Sequence, residues 1–150
     1  MTPITRRDFL GRAALAPVAA WVSSMRARPP MTVYKSPSCG CCKNWVAHVQ
    51  KAGFTVTIKD VADVDPVKRD LGVPAALGSC HTAVLGAYVI EGHVPADVID
   101  RLLAEKPAGR GLAVPGMPQS APGMDVPGSK DHYDILLFTA AGKTSVYAKR

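Results

Sequence analysis

Three of the chain's four cysteines fall within five residues, Ser38-Cys39-Gly40-Cys41-Cys42, and no other stretch restricts fold and chemistry as tightly. Cys39 and Cys42 stand in Cys-x-x-Cys spacing, which sets two thiols at a helix N-terminus for redox work. Cys41 adds a third sulfur that a dithiol switch does not use. Three thiolates on one turn form a soft metal claw instead. Dithiol and metal claw are the two readings against which the rest of the sequence is weighed.

The flanking pattern fixes where this cluster sits. Met31-Thr32-Val33-Tyr34-Lys35 reads as a short strand, Ser36-Pro37-Ser38 as a loop, and the cluster opens a helix. Cys42, Trp45, Val46, Val49 and Ala52 recur at helical spacing, and Gly53 supplies the stop. Cys42 therefore heads the buried stripe, while Cys39 and Cys41 are freer to face solvent. The helix N-terminus favours thiolate over thiol at all three. Beyond it, residues 54–58 predict a second strand, Val64 to Leu71 a short helix, and Gly72 to Gly78 a loop delivering Cys80-His81-Thr82. Residues 83–85 and 88–90 form a hairpin pattern around Gly86-Ala87, and Pro95 opens a helix through Glu105 with Val98, Leu102 and Leu103 as its apolar face.

The order strand, helix, strand, helix, strand, strand, helix predicts an α/β, thioredoxin-like domain, βαβ followed by ββα, over residues 31–107. In that fold the loop before the third strand crosses the head of the first helix and normally carries a cis proline. Here Cys80-His81 occupies the place, so the fourth cysteine is expected beside the other three. Residues 108–150 are read as part of the same globule. Gly109 to Lys130 is a Gly/Pro-rich loop without strand or helix, carrying the near-repeat Val114-Pro115-Gly116-Met117-Pro118 and Ala121-Pro122-Gly123-Met124-Asp125. Residues 133–139 and 144–148 form a terminal β-hairpin around Ala141-Gly142.

Residues 1–30 follow a different logic. Thr5-Arg6-Arg7-Asp8-Phe9-Leu10 carries a twin arginine, Ala13 to Val22 is modestly apolar, and Val18-Ala19-Ala20 offers a cleavage site. This is the pattern of a twin-arginine signal peptide and implies export to the periplasm. The apolar run is far short of the roughly 20 residues a membrane span needs and contains Pro17, so no stable insertion is expected after processing. The leader also holds most of the chain's net charge of +6: it contributes +4, and residues 31–150 only +2. No basic run remains in the main domain, which excludes nucleic acid as an expected partner.

An oxidising compartment changes what four cysteines mean. They pair by default, with three possible connectivities, and adjacent Cys41 and Cys42 make a poor pair with each other. One outcome is a Cys39–Cys42 disulfide with Cys80 buried apart; the other is a metal site from Cys39, Cys41, Cys42 and Cys80. His81, chain-adjacent to Cys80, and His93, where the fourth strand returns toward the site, are the candidate nitrogen ligands. His48 lies seven residues beyond Cys41, roughly 10 Å along the helix axis, and reads as part of a solvated face. His132 reads as a surface turn. Met117 and Met124 are candidate thioether ligands for Cu(I), or plugs that seat the loop on the core. Zinc accepts four cysteines, but its chelating thiols are usually spaced by two or more residues. Adjacent Cys41-Cys42 suits bridging between Cu(I) ions, so copper is favoured over zinc.

Four separated segments, Ser36-Pro37-Ser38-Cys39-Gly40-Cys41-Cys42-Lys43, Gly78-Ser79-Cys80-His81-Thr82, Glu91-Gly92-His93-Val94-Pro95-Ala96 and Val114-Pro115-Gly116-Met117-Pro118, resemble the CopG family. These are periplasmic, copper-resistance-associated proteins long classed as a domain of unknown function. The resemblance spans essentially all of the chain after the leader. It implies a thioredoxin-like domain binding several copper ions through its cysteines, with cycling between Cu(I) and Cu(II). Copper ions and other periplasmic copper-handling proteins are the expected partners. The expected function is copper binding for resistance or homeostasis. The alternative is an enzyme, a periplasmic thiol–disulfide oxidoreductase with Cys39 as nucleophile and Cys42 as resolving thiol. The extra Cys41 and the absence of proline beside Thr82 weigh against it.

Overall fold

A computed structural model describes residues 28–150; the leader, with its twin arginine and cleavage site, lies outside the described residues. The first strand, β1 (Met31–Lys35), leads into α1 (Gly40–Lys51), β2 (Val56–Asp60) and α2 (Asp65–Leu71). A 3-10 turn at Ala75–Leu77 precedes β3 (His81–Leu85), β4 (Tyr88–Glu91) and α3 (Ala96–Glu105). The chain ends with β5 (Gly111–Ala113), β6 (Asp134–Phe138) and β7 (Thr144–Lys149). All seven strands form one sheet in the order β2-β1-β3-β4-β5-β6-β7. β1 and β2 are parallel, β1 and β3 antiparallel, β3 and β4 antiparallel, and β4 and β5 parallel.

Alternation along the strands sorts side chains onto two faces. Met31, Val33, Leu85 and Ile90 pack with Trp45, Val46 and Val49 of α1 and with Val98, Ile99 and Leu102 of α3. On the other face Val89, Ala113 and Phe138 pack with Val73 and Leu77, beyond α2. Trp45 is fully buried, and its indole N–H donates to the Val94 carbonyl at 2.9 Å. Burying an aromatic ring of this size stabilises by about 2–3 kcal/mol, and the bond satisfies its one polar atom.

The element order from β1 to α3 is the expected one, with β2 displaced: Phe54 is buried in the turn after Gly53, and the strand begins only at Val56. The loop after α3 departs further from expectation. Gly111–Ala113 forms β5, hydrogen-bonded between β4 and β6, which joins the terminal hairpin to the sheet. Three residues leave no alternation to read. Gly111 is there because a Cβ would overlap the Val89 carbonyl, so a residue that signals loop in sequence permits a close strand approach here.

Candidate metal centre

The cysteine cluster sits where β1 hands over to α1. Cys39 is the N-cap residue, and its Sγ accepts from the Cys42 N–H at 3.3 Å. With no acidic residue in the first turn, the positive end of the helix dipole faces sulfur alone. Cys39 and Cys42 are joined in a disulfide, while Cys41 and Cys80 are free thiols. Cys41 Sγ lies 3.5 Å from Cys39 Sγ and 3.8 Å from Cys80 Sγ. All four sulfurs fall within 4.8 Å of one another, and Cys80 Sγ also falls within that distance of ring nitrogens of both His81 and His93. Cys80 is thus the sulfur common to a four-cysteine group and a Cys-His-His group.

The Ser79-Cys80 segment enters β3 across the head of α1, and the register between β3 and β4 brings His93 in from the other side. His81 and His93 are both fully buried, with Nδ1 and Nε2 respectively 3.3 Å and 3.0 Å from Cys80 Sγ. His81 stacks against Trp45 with ring centroids 4.3 Å apart and meets His93 edge-on at 5.0 Å. Its Nε2 is buried without a hydrogen-bond partner. Burial, then the neighbouring His93 and Lys68, hold the His81 imidazole well below its ordinary pKa, so it is neutral. Burial lowers His93 as well, against the opposing hydrogen bond to Pro122. The Cys80 thiol is pushed up to about 12, first by burial and then by Cys41. Two neutral imidazoles and a thiol that keeps its proton describe a pocket that disfavours bare thiolate. A soft cation displacing the Cys80 proton would resolve that conflict.

The second Pro-Gly-Met unit closes the site. Pro122 accepts from His93 Nδ1 at 2.8 Å, and Asn44 Nδ2 donates to the Gly123 carbonyl at 3.4 Å. A Cβ on Gly123 would stand 2.6 Å from the Trp45 nitrogen and 2.9 Å from the Cys41 carbonyl oxygen, so only glycine allows this approach. Met124 is half-buried in this unit, whereas Met117 of the first unit is 43% exposed. The two units, alike in sequence, occupy different environments.

The structure corrects the reading of His48, which is half-buried rather than on a solvated face; its Nε2 accepts the Ala96 N–H at 3.1 Å, capping α3 in place of the polar residue Pro95 cannot be. His132 is exposed, as a turn residue should be. Sequence reasoning missed the buried polar network behind the cluster. Glu91, fully buried, accepts from Lys68 Nζ at 2.5 Å, the Ser79 N–H at 2.5 Å and Thr82 Oγ1 at 2.6 Å. A charged residue ending an apolar strand pattern was the available signal.

Two solved structures of the copper resistance protein CopG, forms 1 and 2, superimpose on this chain with TM-scores of 0.77 and 0.76 at 42% and 43% identity. The alignments cover 83% and 81% of this chain and 98% of each neighbour. The chain belongs to the CopG family. The model of a protein family of unknown function, DUF411, matches residues 77–124, the stretch holding Cys80, His81, His93 and both Pro-Gly-Met units. No functionally curated protein matches the chain.

Proposed function

We propose that this protein is an exported copper-binding protein of copper resistance or homeostasis, which holds Cu(I) as cargo through Cys39, Cys41, Cys42 and Cys80. The observation that carries the reading is the convergence of four sulfurs within 4.8 Å from two distant segments. Sulfur donors favour soft cations, Cu(I) among them, and two CopG structures at over 40% identity, named for copper resistance, favour copper over the other soft metals. His81 and His93 complete the donor set, both neutral and therefore able to offer a lone pair. Met124, beside His93's partner Pro122, is a thioether candidate; Met117 suits transfer at the surface. Adjacent Cys41 and Cys42 favour a multinuclear, thiolate-bridged cluster.

The scaffold is of thioredoxin type in this reading: β2-β1-β3-β4 with β1 and β2 parallel and an antiparallel β3 is the arrangement that type requires. Residues 31–107 would form that domain and 108–150 its extension. Before Cys39 and Cys42 can hold Cu(I), their disulfide must be opened by a separate reductant, such as a dithiol that supplies two electrons and two protons and is itself oxidised to a disulfide. Cycling between Cu(I) and Cu(II) at the loaded site is part of this proposal. Among the described residues no helix is long and apolar enough to cross a membrane. Placement in the periplasm after twin-arginine export rests on the sequence of residues 1–30, and there other copper-handling proteins would exchange cargo with it.

The Cys39–Cys42 disulfide favours a second reading, a thiol–disulfide oxidoreductase in which Cys39 attacks and Cys42 resolves. The copper-to-protein ratio of protein purified from copper-fed cells, under reducing and oxygen-free conditions, separates the two. Copper binding predicts at least one ion per chain, whereas the enzyme reading predicts metal-free protein with reductase turnover.

A further inference from the structure

We propose that Glu91 is a positioning residue for the cysteine–histidine site, clamping the bend that carries Cys80 and His81 and coupling it to His93; this rests on the copper reading above. Glu91 ends β4, and Thr82 is its register partner on β3. Its carboxylate takes the Ser79 N–H on one oxygen and Thr82 Oγ1 on the other, so it grips the chain on both sides of Cys80-His81. Lys68 of α2 ties the arrangement down, bonding both Glu91 and Thr82 Oγ1. These groups share a face with Val89, opposite the one on which His81 meets Trp45. The clamp therefore acts from behind the sheet and needs no contact with metal.

The same strand end holds the other arm. Gly92, next to Glu91, donates its N–H to the His81 carbonyl at 3.0 Å, and His93 follows directly. Gly92 has φ +71, and a Cβ there would stand 2.7 Å from Ser79 Oγ and 2.8 Å from the Val114 carbonyl oxygen. The Glu91-Gly92-His93 turn is thus wrapped tightly around Ser79–His81. A buried ion pair contributes little stability beyond what apolar residues of similar volume provide. Its presence on the bend that sets the Cys80–His93 spacing points to geometry as its use, because outer partners of metal ligands fix ligand orientation.

The test compares wild type, Glu91→Gln and the paired replacement Lys68→Met with Glu91→Leu, which removes the clamp while filling its space. Thermal unfolding of each confirms folding. Cu(I) affinity is measured against a chromogenic Cu(I) chelator without oxygen, alongside the thiolate-to-Cu(I) absorption band. In metal-free protein with the Cys39–Cys42 disulfide closed, the alkylation rate of Cys80 is measured relative to Cys41. The paired variant should fold, bind Cu(I) about 10–100-fold more weakly, show a shifted absorption band and expose Cys80 to alkylation preferentially. Glu91→Gln, which keeps an acceptor for the Ser79 N–H, should recover most of the affinity. Wild-type affinity, spectrum and alkylation ratio in the folded paired variant would overturn the clamp. If wild type binds no Cu(I), the copper reading falls instead, and the alkylation ratio alone decides the clamp. If the paired variant fails to fold, Thr82→Val, which releases one of the two grips of the carboxylate, takes its place: wild-type affinity and Cys80:Cys41 ratio there would overturn the clamp, and loss of either would support it.

Discussion

His93 turns its Nε2 toward Cys80 Sγ, 3.0 Å away, because its Nδ1 is committed to the Pro122 carbonyl at 2.8 Å. A carbonyl can only accept, so the proton of the neutral ring sits on Nδ1 and the lone pair on Nε2 faces the sulfur. A backbone atom of the Pro-Gly-Met loop thereby sets the tautomer of a candidate ligand 29 residues away in sequence. Ligand preparation in this site thus reaches beyond the cysteine cluster, into the Pro-Gly-Met loop.

The cysteines are expected to separate by role. Cys41 is outside the disulfide and half-buried, so Cys41→Ser should leave folding and the Cys39–Cys42 bond intact. Copper binding should weaken by at least about tenfold, since even loss of an outer partner costs about 10–100-fold. Copper titration and intact-mass analysis check both halves. Full loading by Cys41→Ser, with reductase activity lost only in Cys39→Ser, would favour the oxidoreductase.

Gly123→Ala should be destabilising by more than the roughly 1–3 kcal/mol of a non-glycine residue held at positive φ. Its φ is +88, and the added methyl would press on the backbone of α1 at Trp45 and Cys41. Chemical denaturation measures the loss, and the His93–Pro122 contact should loosen with it. A Gly116→Ala control, also at positive φ but with open space around the Cβ, should cost less.

Stability of the metal-free protein should fall with acidity. The folded-state pKa of His81 lies well below its ordinary 6.5, chiefly through burial. The unfolded chain therefore gains a proton first as pH drops. The stabilisation is fully present above about pH 6.5 and is lost progressively below it, by up to about 1.4 kcal/mol per pH unit for this group. Denaturation midpoints at pH 7.5, 6 and 5 test this. His81→Gln should flatten the profile; an unchanged slope would assign the acid sensitivity elsewhere.

Much of this was legible in the sequence, and the misses have physical causes. α1 was readable because Cys42, Trp45, Val46 and Val49 repeat at 3.6-residue spacing and all are buried. Cys80 could be placed beside the cluster because element order alone brings the start of β3 across the head of α1. β5 was not readable, since Gly111–Ala113 is too short to show a period and its pairing depends on the absence of a side chain. The Lys68–Glu91 pair was hidden for another reason. Lys68 looks like any solvated residue of a charged seven-residue helix until α2 is laid over the end of β4. His48 was misread because a cap for α3 supplied from α1 is a tertiary relation with no local pattern.

Export is expected to depend on the arginine pair. Arg6→Lys with Arg7→Lys should leave precursor in the cytoplasm, because the pair is read as an address. Cell fractionation and the mass of the mature protein report it. Processing should retain Arg28, which bonds both Asp100 oxygens, at 2.7 Å and 2.8 Å, and the Ala52 carbonyl at 2.9 Å. Normal processing of the double variant would point to general secretion.

Copper-edge X-ray absorption on anaerobically loaded, reduced protein tests the central claim most directly, because it reads oxidation state and donor atoms together. The account predicts Cu(I) in a sulfur-dominated shell, with a copper–copper interaction if the thiolates bridge and a nitrogen contribution that falls in His93→Ala. A shell of oxygen and nitrogen donors, unchanged when Cys41 and Cys80 are both replaced by serine, would contradict it.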